Sequence, residues 1–92
     1  MVYHIYVQYQ IISRLKIGAK VKANGKVIGE VISFMHNPAA LIVQIAIQKE
    51  IKIPLFSSFK IIKGFWFNDH IEVEYSNDKR FIRENEYFSG TE

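Results

Sequence analysis

Apolar and polar residues alternate with a period of two along much of this chain, which is the signature of half-buried β-strands. Tyr3, Ile5, Val7 and Tyr9 share one strand face, with His4, Gln8 and Gln10 opposite. Leu41, Val43, Ile45 and Ile47 form a second such row against Gln44 and Gln48. Ile71, Val73 and Tyr75 form a third against His70, Glu72 and Glu74. Ile, Val, Tyr and Phe dominate these rows, and they suit a pleated, half-buried surface. Turn signals separate them. Asn24-Gly25 is a strong hairpin signal, because a type I′ turn needs positive φ at both central residues. Asn37-Pro38 ends a strand, Ile53-Pro54 opens a loop, and Asn77-Asp78 and Glu84-Asn85 read as turns. The pattern predicts strands at 3–10, 19–23, 26–34, 40–48, 58–63 and 70–76, and a short pair across 80–88. No segment has helical periodicity.

Many short strands with close-set turns indicate an all-β fold, a small barrel or sandwich. A closed barrel would also remove exposed strand edges. Composition sharpens this picture. With 49% apolar residues, 2 Pro and 5 Gly in 92 residues, the chain can support a core and is not disordered. The length suits one domain. A domain of this size buries roughly 60–65% of its unfolded surface, which leaves little room for an internal active-site cavity. The absence of Cys excludes disulfide scaffolds, Cys-type zinc sites and thiol catalysis. The charge-free run from Val31 to Gln48 is broken by His36-Asn37-Pro38 and is too polar for a membrane span. The first thirteen residues lack the basic start and small-residue cleavage site of a signal peptide.

The net charge of +3 is uneven. Residues 1–46 carry Arg14, Lys16, Lys20, Lys22 and Lys26 against Glu30, whereas residues 47–92 carry seven basic and eight acidic groups. A basic half can attract nucleic acid or anionic headgroups, or simply solubilise strand edges. Catalytic signals are poor. His4, His36 and His70 lie far apart, without metal-type spacing, and His4 and His70 fall on polar strand faces. Glu72 and Glu74 share a face only because strands alternate. Ser57-Ser58 has no base signature beside it. Gly25-Lys26-Val27-Ile28-Gly29 lacks the spacing and ending of a phosphate loop, so its glycines serve a turn and a close backbone approach. No enzyme activity, metal or cofactor is expected.

One segment stands apart. Gly64-Phe65-Trp66-Phe67-Asn68-Asp69 sets three consecutive aromatics where turn chemistry begins. Extended, at most two of them could enter a barrel interior. Each can bury about 150–250 Å², so leaving two or three exposed exceeds the apolar patch of an ordinary monomer. The loop is expected to meet a partner subunit, a lipid or a membrane, or else to fold back as a plug over the barrel's open end. Aromatics on a basic β-domain also fit single-stranded nucleic-acid binding, but stacking platforms spread their rings over adjacent strands rather than one loop.

Three ordered stretches resemble the MCE (mammalian cell entry) domain family of lipid-transport proteins, over roughly residues 3–91. The first runs from Tyr6-Val7-Gln8-Tyr9-Gln10 through Leu15-Lys16-Ile17-Gly18-Ala19-Lys20-Val21 to Gly25-Lys26-Val27-Ile28-Gly29-Glu30-Val31. It is similar to the family's opening strand, Gly-Leu-x-x-Gly-x-x-Val turn and Gly-Val-x-Val-Gly-x-Val hairpin. The second is Ile51-Lys52-Ile53-Pro54 with Ser57-Ser58-Phe59-Lys60-Ile61. The third, Gly64 to Val73, sits where the family has Gly-Leu-Leu-Gly and then a strand like Tyr-Ile-Glu-Ile. The closing Arg83-Glu84-Asn85-Glu86 to Ser89-Gly90-Thr91 is like the family's final turn. Arg14 stands for the Gly before Leu15, Phe67 for the second Gly of the loop, and Asn85 for a turn Gly. Asn tolerates positive φ, whereas Phe does not do so readily.

The resemblance implies a small seven-stranded β-barrel that assembles into a hexameric ring. It implies a non-enzymatic module of a cell-envelope phospholipid transporter, working with ABC-transporter membrane subunits. Carried to this sequence, Phe65 and Trp66 would line a central pore for phospholipid or another apolar lipid, with Phe67 beside them. A chain of about sixteen carbons faces a barrier on the order of 10 kcal/mol in water, which such a pore would remove. The family's setting is the periplasmic side of the inner membrane, anchored by an N-terminal helix that this chain lacks. Residues 1–92 are therefore expected to be one barrel domain excised from a longer membrane-anchored protein, with no nucleic-acid partner. Two rival readings stay open: an SH3-like or OB-like barrel binding RNA or single-stranded DNA, and a structural adaptor docking through its aromatic loop.

Overall fold

A computed structural model describes residues 1–11 and 14–91, and for Asn37 and Phe67 the backbone alone. The described residues form one seven-stranded sheet: β1 (Val2–Tyr9), β2 (Lys20–Ala23), β3 (Lys26–Asn37), β4 (Ala40–Gln48), β5 (Ser58–Ile62), β6 (His70–Glu74) and β7 (Tyr87–Ser89). The strand order is β5-β6-β2-β3-β4-β1-β7. Asn24 and Gly25 both hold positive φ, 53° and 77°, and join β2 to β3 as the hairpin signal predicts. Asn37 is the last residue of β3, beyond the predicted end.

The sheet curls until its edges meet. Thr91, just past β7, donates its N–H to the Phe59 carbonyl at 2.9 Å and accepts from the Ile61 N–H at 3.0 Å. Edge strand β5 is thereby stitched to the chain leaving β7, and the sheet closes as a barrel. Two irregularities in the pairing of β3 with its neighbours help the sheet bend. The pairing shifts between Val21 and Lys22 on β2, and between Val31 and Ser33 on β3. Such bulges increase local twist, as closure requires. Gly29 lies at the crowded β3–β4 contact, where a Cβ would collide with the Ala46 carbonyl. That is the close approach expected of it.

The period-two rows line the interior. Ile5, Val7, Val43, Ile45, Ile47 and Ile71 have no exposed surface. Phe59 fills the centre, and the Tyr9 hydroxyl donates to the Phe59 carbonyl at 2.9 Å. Loop residues Leu15, Ile53 and Ile82 complete the core.

One expectation is corrected. No strand pair forms across 80–88. Phe81 makes a single bridge to Pro54, and β7 pairs in parallel with β1, Tyr6 facing Tyr87. The 80–86 segment is an irregular strap held by Ile82 N–H to Ile53 carbonyl at 2.8 Å and Asn85 N–H to His4 carbonyl at 2.7 Å. Asn85 takes positive φ, 65°, as its turn position predicts.

Candidate functional site: the aromatic loop between β5 and β6

Because β2 and β6 run parallel, the segments that lead into them emerge at one end of the barrel. Residues 14–19 and 63–69 are therefore neighbours there, while the 24–25 turn and the segment after β6 lie at the other end. The aromatic loop is a single 3-10 turn, Phe65–Phe67, and not an extended strand end. Trp66 departs from helical geometry with φ 57° and ψ 40°. Left-handed backbone is strained for a bulky side chain, by about 1 kcal/mol. The sequence directs attention to Phe67 for this strain, but the structure puts it on Trp66.

Both sides of the loop are pinned. Asn68 donates its N–H to the Phe65 carbonyl at 3.0 Å and closes the turn. Gly64 enters extended, and a Cβ there would collide with the Asn68 carbonyl, so only glycine fits this close approach. Asp69 is buried although its neighbours are not. Its Oδ1 accepts the Gly64 N–H at 3.2 Å and lies 3.6 Å from Arg14 Nη2. Its Oδ2 is buried and has no hydrogen-bond partner among the described residues.

This scaffold displays Phe65 at 89% exposure and Trp66 at 91%. Neither folds back over the barrel end, so the plug alternative does not hold for these two rings. The Phe67 side chain lies outside the described residues. Phe65 and Trp66 sit together in this one loop, whereas on the strands Tyr6 and the exposed Tyr87 stack with ring centroids 4.6 Å apart. Sequence reasoning gave no role to Asp69, whose signal is a lone acid closing a glycine-started aromatic turn. It also missed Phe56, 73% exposed with φ 66°, at the other end of the barrel. There Arg80 lies over the Phe56 ring at 5.5 Å, and Lys52 over Phe81 at 5.7 Å.

The histidines form no joint site. His70 Nε2 contacts Glu72 Oε2 at 3.1 Å, and His4 Nδ1 lies 3.6 Å from Glu84 Oε2. Among the described residues no group of three acidic, His or Cys side chains could hold a metal ion, and no helix is long and apolar enough to cross a membrane.

Residues 2–80 match the model of a protein family described as MlaD protein. The chain belongs to the MlaD family. The MCE-type resemblance of its three ordered stretches is thus borne out. A chain of the Acinetobacter MlaFEDB complex, solved in an ATP-bound Vtrans1 conformation, has the same fold, with a TM-score of 0.87. The likeness covers 99% of this chain and 74% of that one at 13% sequence identity. No curated protein matches the chain. The family match ends at residue 80, yet the structural likeness covers nearly the whole chain, the strap and β7 included.

Proposed function

We propose that this chain is a non-enzymatic lipid-transport component of an Mla-type system. Copies of it form a ring, a hexamer, in which Phe65 and Trp66, with Phe67 beside them, line a hydrophobic pore that passes phospholipid or another apolar lipid. The observation that carries this reading is the loop: two adjacent aromatics almost wholly exposed on a strained, hydrogen-bonded turn, in a chain of the MlaD family. Leaving a phenylalanine in water forgoes about 1.5–3 kcal/mol, and a left-handed Trp66 adds strain. Both costs are offset when the rings meet acyl chains or one another. The MlaFEDB likeness supports partners that are membrane subunits of an ATP-driven, ABC-type transporter, with the barrel on the periplasmic side of the inner membrane. An N-terminal helix outside residues 1–92 would anchor it. This family match favours transport over the nucleic-acid-binding and adaptor readings.

Replacing both rings, Phe65→Asn with Trp66→Asn, tests the site. Lipid extracted from the purified protein should fall to background, while the thermal melt stays close to that of the wild type because neither ring packs in the core. Wild-type lipid content in the double variant would reject the pore assignment.

A further inference from the structure

We infer that Asp69 is the positioning residue of the aromatic loop: its buried carboxylate ties one stem of the loop to the other and to the segment before β2, so that Phe65 and Trp66 are held out as a fixed pair. The inference rests on the role proposed for the loop and adds how its rings are held. Three observations carry it. First, the Asp69 side chain has no exposed surface, although the rings it follows are almost fully solvated. Second, one oxygen serves two partners on different segments, the Gly64 N–H at 3.2 Å and Arg14 Nη2 at 3.6 Å. Third, the other oxygen is buried without a hydrogen-bond partner among the described residues.

A half-used buried carboxylate is unfavourable for stability alone, since buried polar groups are normally satisfied. Such departures concentrate where function constrains a structure. What the carboxylate adds here is reach: an acceptor for Gly64 and an opposite charge for Arg14 at once. The left-handed Trp66 needs just this support, because strained backbone persists only when its surroundings over-determine it. Asn68 to Phe65 closes the turn from inside, and Asp69 to Gly64 closes it at the base. A loop ordered in advance loses less freedom when its rings meet a ligand.

The test reads the loop itself. Amide hydrogen exchange would be followed at Gly64, with fluorescence anisotropy of Trp66, the chain's single tryptophan. In Asp69→Ala the Gly64 amide should lose protection and the anisotropy should drop, while the Ile61 amide in the barrel seam exchanges as in the wild type. Asp69→Asn, which keeps an acceptor oxygen but loses the charge that holds Arg14, should restore part of the protection at Gly64. A folded Asp69→Ala protein with wild-type exchange and anisotropy would overturn the inference. Should Asp69→Ala not fold, Arg14→Gln decides, its residue being partly exposed: faster exchange at Gly64 supports the tie, and unchanged exchange overturns it. Lipid content measured on the same samples separates the two ideas. A wild-type protein without lipid would reject the transport reading, and the Gly64 exchange would still decide the role of Asp69.

Discussion

Trp66 and Phe56 both hold left-handed backbone, where glycine or asparagine is the ordinary occupant. Sequence alone does not reveal this, because propensity assigns such positions to other residues. The loop's apolar character was legible at Phe65 and Trp66, but its conformation was not. A polar residue packed against the core makes a sharper statement. The Tyr3 hydroxyl donates to the Ile51 carbonyl at 2.7 Å. Burial, reinforced by the nearby Tyr75, pushes its pKa up to about 12 from the usual 10. The folded state thus keeps a proton that the unfolded state releases above pH 10. The contribution of Tyr3 to stability is complete below about pH 10 and declines as pH rises through about 12. Tyr3→Phe should be less stable than the wild type at neutral pH by about 0.5–1.5 kcal/mol, the worth of an ordinary hydrogen bond. That gap should close between pH 10 and 12 in a denaturant titration repeated at stepped pH. A gap that stays constant across the range would mean that the proton on Tyr3 is not what the fold holds.

At the scale of elements, strands with clear alternation were legible. β1 and β4 are eight and nine residues long, and alternation found both with ends within a residue. β7 has three residues, fewer than the four to eight over which alternation can be recognised. Its partner, β1, lies at the opposite end of the sequence, and the pairing is parallel, so no hairpin turn marks it. The predicted 80–88 pair failed for that reason: the local turn at 84–85 is real, with Arg83 and Glu86 hydrogen-bonded to each other across it, but the longer-range bonds of the strap link it to His4, Ile53 and Leu55 and not to a second strand within 80–88. The seam at Thr91 is the least legible feature and the one that closes the barrel. Thr91→Pro removes the N–H that Phe59 accepts and leaves the ring of proline to crowd the seam. Expected is a loss of about 1–3 kcal/mol, the cost of leaving a buried group without its partner, moderated because Tyr9 still donates to the same carbonyl. Chemical denaturation measures it. The opened edge of β5 should also promote association at high concentration, since unpaired edges template further strands. A variant with unchanged stability and no added association would show that the barrel does not depend on this stitch.

At the scale of the whole molecule, the packed interior limits how lipid could be handled. The barrel measures 33 × 30 × 25 Å, and its centre is filled by side chains with no exposed surface, among them Phe59, Ile5 and Ile45. Among the described residues this packed interior leaves an acyl chain no path through one copy. If lipid passes, it passes between copies, and the aromatic loop at one end, with its two most exposed rings, is an apolar surface suited to form that passage. Assembly and lipid content are then linked quantities, measurable together by native mass spectrometry at near-physiological salt. A sixfold mass carrying additional mass equal to lipid is the expected result. The added mass should vanish when Phe65 and Trp66 are both replaced by Asn, and the sixfold mass should persist if the contacts between copies lie on the barrel walls. A monomer that carries lipid would retain binding and remove the ring. A lipid-free monomer would remove both from these residues, and two exposed rings, one of them on strained backbone, would then require a protein partner, which is the adaptor reading.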